Sequence, residues 1–194
     1  MSSAIPFLQA KHFSPCSYRN IDLVVLHAME APDKPGTATA VANWFAGPDA
    51  PKASAHFCVD PTMTIQCVNE MDIAWAAPGT NHDGIHLEHA GYSKYTGVQW
   101  GDAAGKLMLA RSAELTAELC LQYGLPVEYV DAEGLLIGRC GITTHFDVTV
   151  ACQLAKSRKL TASAFFGAHT DHTDPGPGFP IQSFIDAVKA QVEA

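Results

Sequence analysis

The chain has 194 residues, of which 47% are hydrophobic and 16% charged, and its mean hydropathy is +0.04. This length and composition indicate a single compact domain with a buried core, and they exclude a disordered protein. The net charge of −8 argues against nucleic acid or anionic lipid as partners, because both are bound by basic surfaces. The longest apolar runs, such as residues 21–29, are too short for membrane insertion, and residues 1–20 contain no secretory signal. We therefore expect a monomer with one domain over residues 1–194 and a core at about 21–193, made in the cytoplasm.

The six cysteines contain no Cys-x-x-Cys pair, so neither a thiolate zinc site nor a redox motif is indicated. Buried free thiols are the default for cysteines outside disulfide scaffolds, and a reducing compartment is expected. The positions concerned are Cys16, Cys58, Cys67, Cys120, Cys140 and Cys152.

The first half of the chain predicts strands with one helix between them. Residues 21–27 form an apolar, β-branched run that is typical of a central strand buried on both faces. Thr37 is predicted to cap a helix that ends near Phe45, before a Gly-Pro pair. Residues 54–68 then predict a hairpin with strands at 54–59 and 64–68, and residues 85–88 predict a further strand.

The second half predicts more helix. Apolar residues recur at helical spacing over residues 103–123, and Gly124 supplies the stop signal. A short strand is expected at 141–144 and an amphipathic helix at 184–192, whereas residues 151–168 give no clear pattern. Strands alternating with helices predict an α/β fold, with a central mixed β-sheet flanked by helices.

Several polar side chains fall where predicted strands end. His27 ends a buried strand, and a glutamate in an apolar strand such as Glu88 is costly unless it is paired. His145 follows the strand at 141–144, and Asp174 enters a turn stiffened by two prolines. Three such ligands and a carboxylate base are the composition of a hydrolytic zinc site. Spacing alone does not select the ligands from the nine histidines.

Four segments, taken in chain order, resemble segments of a known family. This resemblance indicates which of the histidines are the ligands. Val24-Val25-Leu26-His27 is similar to its first ligand strand, and Ser54-Ala55-His56-Phe57 to an S-x-H-aromatic strand. Gly84-Ile85-His86-Leu87-Glu88 resembles its I-G-I-E strand. His145-Phe146-Asp147 with Asp174-Pro175-Gly176-Pro177-Gly178-Phe179-Pro180 resembles the closing H-x-D and D-P-G-P-x-F-P signature. The family is that of type 2, zinc-dependent N-acetylmuramoyl-L-alanine amidases, which is related to peptidoglycan recognition proteins and to phage lysins.

The resemblance implies a zinc (Zn2+) site with the ligands His27, His145 and Asp174, and it implies that Glu88 is the catalytic glutamate. His172 stands where relatives usually carry lysine or threonine, and it is expected to stabilise the oxyanion of the tetrahedral intermediate. The gap between His145 and Asp174 is longer than is usual in the family. His169 is therefore a rival to His145 for the second histidine ligand.

The implied substrate is peptidoglycan or a soluble muropeptide, cut between N-acetylmuramic acid and L-alanine. The implied biological role is host cell lysis by a phage or prophage endolysin, which acts on the cell wall after release from the cytoplasm. Three alternatives remain: a non-catalytic peptidoglycan-binding module, a cytosolic muropeptide-recycling amidase, and a zinc hydrolase of small amides.

Four further residues are candidates for substrate contact: His56, Trp75, His86 and His169. His56 is equally compatible with packing inside the sheet, and Trp75 with packing in the core or at the rim. His86 shares a strand face with Glu88, so it is also the best candidate to support the metal ligands from behind.

Overall fold

The computed structural model describes residues 4–194, so the first three residues of the predicted domain lie outside it. The chain forms a five-stranded sheet and a small two-stranded ribbon, which confirms the predicted mixed sheet flanked by helices. The sheet strands are β2 (Leu23–Ala28), β3 (Phe57–Val59), β4 (Thr64–Gln66), β6 (Gly84–His89) and β7 (Gly141–Thr144), and the ribbon strands are β1 (Phe13–Ser14) and β5 (Ile73–Ala74). The order across the sheet is β4-β3-β6-β2-β7, with β4 antiparallel and the other four strands parallel.

Six helices surround the sheet within residues 4–194. They are α1 (Thr37–Ala46), α2 (Gly97–Trp100), α3 (Ala103–Tyr123), α4 (Ala132–Leu136), α5 (His145–Ser157) and α6 (Ile181–Val192). The long helix α3 has the predicted bounds, and Gly124 ends it in the left-handed conformation with φ 66°. No helix within residues 4–194 is long and apolar enough to cross a bilayer. All six cysteines are free thiols, and four of them are buried as expected, whereas Cys16 and Cys140 are only partly buried.

Three local predictions differ from the structure. Thr37 does not cap α1: Gly36 occupies the cap position, and the Thr37 hydroxyl instead donates to the carbonyl of Pro32 at 2.7 Å. The hairpin is present, but its first strand begins only at Phe57. Helix α5 runs from His145 to Ser157, so it covers residues 151–157 of the stretch at 151–168 that shows no clear pattern in the sequence. Its N-cap is Thr144, whose hydroxyl accepts from the amide of Asp147 at 3.2 Å.

The helices divide between the two faces of the sheet. Helices α3 and α6 pack on the face that carries Leu26, Ile85 and Leu87. Helix α5 covers Leu23 and Val25 on the opposite face, and α1 packs beside it over β3 and β4. Because side chains alternate along a strand, His27 lies on the same face as Val25. This face opens between α1 and α5, at the carboxyl ends of the parallel strands.

Candidate metal centre and active site

The strand register brings three predicted site residues to one edge of the sheet. His27 on β2 is the Cα partner of Glu88 on β6, and Leu26 is the partner of Thr144 on β7. His145 follows Thr144 directly, so it lies beside His27, and the two rings are 4.7 Å apart between centroids. Ligands commonly bind outside the carboxyl ends of parallel strands, which is where these side chains meet.

Asp174 reaches the same place from the loop that precedes α6. Its carboxylate accepts from the amide of Ala28 at 3.2 Å, and its carbonyl accepts from the amide of Phe146 at 2.9 Å. After Asp174 the loop packs closely against the backbone of residues 93–95. An added Cβ at Gly176 would collide with the carbonyl oxygen of Ser93, and one at Gly178 with that of Tyr95. Gly176 also has φ 87°, which glycine adopts without strain.

The distances in this cluster fit a metal ion better than hydrogen bonds. The Nδ1 atoms of His27 and His145 each lie 3.3 Å from a carboxylate oxygen of Asp174. Charge-assisted N–H···O bonds are shorter, at about 2.7–2.9 Å. Ligand atoms at about 2.0–2.1 Å from a tetrahedral zinc ion are ~3.3 Å apart. One ligand atom from each of the three residues can be chosen within 4.8 Å of the others, and all three residues are buried. The set fits a zinc ion.

The second ring nitrogen, Nε2, of both His27 and His145 lies within hydrogen-bond distance of another side chain. His27 Nε2 lies 3.0 Å from Nδ1 of His86, and His145 Nε2 lies 2.8 Å from the hydroxyl oxygen of Thr170. Metal-bound histidines usually have their second nitrogen held in this way, which fixes the ring and its tautomer. Thr170 was not found by sequence reasoning. It belongs to the segment between His145 and Asp174. The unusual length of this segment is the one feature of the sequence that indicates an additional contact there.

Two of the three candidate ligands, Asp174 and His145, favour the charge state that binds a metal ion. Burial alone would raise the pKa of Asp174, but the rings of His145, His172 and His27 outweigh it and lower that pKa well below its usual range. Burial lowers the pKa of His145 to about 4, with Asp174 offsetting only part of the effect. An ionised aspartate and a neutral histidine are the forms that bind a metal ion. His27 differs: although burial lowers its pKa, Asp174 and Glu88 raise it above its ordinary value, so a proton competes with the metal ion for this ring.

Glu88 lies at the base of a cleft of about 450 Å³ that also exposes the ligand cluster. Burial raises the pKa of its carboxyl group to about 7, although the neighbouring His27 opposes the shift. Its Oε2 atom is buried without a hydrogen-bond partner among the described residues. A carboxylate in this setting is well suited to accept and return a proton near neutral pH.

His172 is at the mouth of the cleft, on the same loop as Asp174. Its ring stacks on His145, with centroids 4.5 Å apart and an interplanar angle of 10°, while 63% of its side chain remains exposed. Its Nδ1 atom lies 3.3 Å from Asp174 Oδ1, and this carboxylate raises the pKa of His172 despite partial desolvation. A cationic or N–H-donating ring is thus held next to the three candidate ligands.

The other predicted residues are dispersed. Trp75 lines the cleft with Trp44 and Phe45 of α1. His169 is exposed and is not part of the ligand cluster, so the structure brings His145, not His169, to His27 and Asp174. His56 and His86 are fully buried beneath the cleft and do not line it.

The burial of His56 has a measurable consequence. Desolvation, assisted by the nearby guanidinium of Arg19, lowers the pKa of His56 to about 3. In the unfolded chain the ring titrates near 6.5, so below that pH only the unfolded state takes up this proton. The stabilisation is complete above about pH 6.5 and declines as the pH falls towards about 3, by ~1.4 kcal/mol per pH unit for one proton.

His56→Asn keeps an acceptor for the amide of His86. We expect this variant to lose less free energy of unfolding as the pH falls, by ~1.4 kcal/mol per pH unit, which is the contribution of one proton. Urea unfolding of both proteins at several values between pH 4 and 7 measures this slope. Equal slopes for the two proteins would contradict the assignment.

Comparisons with known proteins identify the family and the fold. The sequence profile of the family described as N-acetylmuramoyl-L-alanine amidase matches residues 17–177. No sequence match was found among curated proteins. The fold is similar to Staphylococcus aureus hydrolase AmiA in complex with its ligand, with a TM-score of 0.66 and 18% identity over 99% of this chain and 84% of that one.

Two further solved structures share the fold. The N-acetylmuramoyl-L-alanine amidase LysC from Clostridium intestinale is 14% identical over 100% of this chain and 99% of its own, with a TM-score of 0.57. A mutant endolysin from Bacillus subtilis is 16% identical over 95% of this chain and 99% of its own, with a TM-score of 0.55. Because the family profile covers most of the sequence and the fold agrees, the chain belongs to the type 2 N-acetylmuramoyl-L-alanine amidase family.

Proposed function

We propose that this protein is a zinc-dependent amidase that hydrolyses the bond between the lactyl group of N-acetylmuramic acid and L-alanine in peptidoglycan. The observation that carries the proposal is the meeting of His27, His145 and Asp174 at metal-ligand spacing, beside Glu88. Family membership supplies the substrate class.

Zinc is the metal that this donor set suits best. Two imidazole nitrogens and one carboxylate are a common catalytic zinc set, in which a fourth position is left for the reaction. His27, His145 and Asp174 would hold the ion. When bound, zinc supplies Lewis acidity, which polarises a carbonyl group and makes water a stronger acid.

Glu88 is proposed as the general base and acid. Its partly buried carboxylate takes a proton from the attacking water and later delivers it to the leaving amine of L-alanine. Its free Oε2 atom and its raised pKa support this assignment, because a base that titrates near the working pH can both accept and return a proton.

His172 is proposed to stabilise the negative charge that develops on the carbonyl oxygen. Its ring is held against His145 and faces the cleft, so an N–H group is available beside the ligand cluster. Histidine replaces the lysine or threonine that is usual at this position in the family, so this stabilisation depends on the protonation of the ring.

Trp75 and the exposed Trp44 line the wall of the cleft that α1 and the β5 segment form. They are proposed to contact the glycan or the stem peptide. His56 and His86, being buried, are assigned to the support of the site and not to substrate contact.

Digestion of purified peptidoglycan tests the proposal. Zinc-loaded protein is expected to release stem peptides with a free L-alanine amine and to leave intact glycan strands, as mass spectrometry of the products would show. Chelation should abolish the release, and added zinc should restore it. Zinc binding without any release would instead support a non-catalytic peptidoglycan-binding module.

The proposed biological role is cell lysis by an endolysin, since an endolysin from Bacillus subtilis shares the fold over nearly the whole chain. Parallel digestion of intact sacculi and of soluble muropeptides distinguishes this role from muropeptide recycling. A lysin is expected to prefer the polymer, whereas a recycling amidase would cleave only the soluble fragments.

A further inference from the structure

His86 is an unusual residue for its position. The I-G-I-E pattern that residues 85–88 resemble has glycine where this chain has His86. The side chain is fully buried on the sheet face that carries Glu88, and its Nδ1 atom lies 3.0 Å from Nε2 of the metal-ligand candidate His27. A relative with glycine at this place has no side-chain atom to make that contact.

The metal site determines which ring nitrogen of His27, and therefore of His86, carries a proton. A neutral imidazole carries one proton, on one of its two nitrogens. His27 presents Nδ1 to Asp174 and His145, so this nitrogen must be unprotonated when it binds a metal ion. The proton of His27 is then on Nε2, and Nδ1 of His86, 3.0 Å away, is placed to accept it.

The ring of His86 is free to adopt the matching tautomer. Its other nitrogen, Nε2, has no hydrogen-bond partner among the described residues, so no other group competes for the position of its proton. The ring is also held in place, because it stacks on His56 with an interplanar angle of 11° and a centroid distance of 5.7 Å. His56 Nδ1 in turn accepts from the backbone amide of His86 at 3.0 Å.

We propose that His86 is a positioning residue: by accepting a hydrogen bond from His27 Nε2, it selects the His27 tautomer that leaves Nδ1 available to the metal ion. The proposal rests on the proposed zinc site and deepens it. His145 has a different partner, the hydroxyl of Thr170, so the two histidine ligands are oriented by independent contacts.

Zinc affinity measured by chelator competition on the full chain, without substrate, tests the proposal. His86→Leu fills most of the space but removes the acceptor, and we expect zinc affinity to fall about 10- to 100-fold. His86→Asn is the matched variant: its side-chain oxygen is close to the position of Nδ1, and it should recover most of the loss. If His86→Leu binds zinc as tightly as the wild type, the proposal is overturned while the proposed amidase function stands. If the wild type binds no zinc, both are overturned.

A second measurement needs no substitution. In zinc-loaded protein with ¹⁵N-labelled histidine, long-range ¹H–¹⁵N spectra report which ring nitrogen carries the proton. We expect Nε2–H tautomers for both His27 and His86. A proton on Nδ1 of His86 would overturn the proposal, whatever the folding behaviour of the variants.

Discussion

Replacing Glu88 with glutamine should lower kcat by about 10²- to 10⁴-fold and leave zinc binding intact. Glutamine preserves the size of the side chain but can neither take the proton from water nor return one to the leaving amine. The loss should appear in kcat and not in zinc affinity, because Glu88 belongs to the cleft floor and not to the ligand cluster. Turnover of soluble muropeptide and zinc content measured on the same preparation would separate the two effects.

Glu70→Gln is a suitable control for this experiment. Glu70 is also partly buried, but it accepts from the hydroxyl of Tyr123 and lies outside the cleft. Its substitution removes the same charge and should leave turnover close to that of the wild type. If Glu88→Gln retained a tenth or more of the wild-type kcat, another group would have to be the general base.

Replacing Asp174 with asparagine should remove the stabilisation that zinc gives to the fold. A ligand present at about 1,000 times its Kd stabilises a protein by ~4 kcal/mol. For a domain of this size that corresponds to a rise in Tm of about 8–16 °C. Asp174→Asn eliminates the carboxylate whose oxygens lie 3.3 Å from Nδ1 of His27 and of His145, so zinc should no longer raise its Tm appreciably. Calorimetry with and without zinc measures the difference.

Asp171→Asn is the matched control, because Asp171 lines the same cleft three residues earlier in the loop but is not in the ligand cluster. It should keep the zinc-dependent rise in Tm. The metal-free forms of all three proteins should unfold cooperatively, so that each zinc-dependent change in Tm is taken relative to the metal-free form of the same protein. A full zinc response in Asp174→Asn would show that the ion binds elsewhere.

Part of the site could be predicted from local sequence patterns. His27 and Glu88 each end an apolar run that is recognisable as a buried strand, and parallel strands bring such ends together. The turn at Asp174 is equally visible, because its prolines and glycines restrict the backbone in a characteristic way. The α/β fold follows from the alternation of such strands with helices.

The remaining features depend on contacts between segments that are distant in the sequence. The interaction of Thr170 with His145, and that of His86 with His27, join residues 25 and 59 positions apart. No local pattern encodes either contact. The start of helix α5 is hard to see in the sequence, because its first turn contains the candidate ligand His145 and the polar cap of Thr144 and Asp147, which hide the apolar periodicity of a helix start.

At Thr37 the local sequence predicts a helix cap that the structure does not have. Threonine before an apolar helix favours a cap, but Gly36 in a left-handed conformation takes that position, and Asp60 accepts from the amides of Gly36 and Ala38. A side chain from the hairpin turn therefore satisfies the amides at the helix start, and the local signal is overridden by a tertiary contact.

The close backbone contact between the two loops has a consequence for exchanging parts among amidases. Gly176 and Gly178 press against the carbonyls of Ser93 and Tyr95, in the segment that follows the strand bearing Glu88. The loop that presents Asp174 and the segment that follows Glu88 are thus in backbone contact so close that neither Gly176 nor Gly178 leaves room for a side chain. A chimera that takes residues 174–180 from a relative with a side chain at the position of Gly178 is therefore expected to need that relative's segment at 93–96 as well.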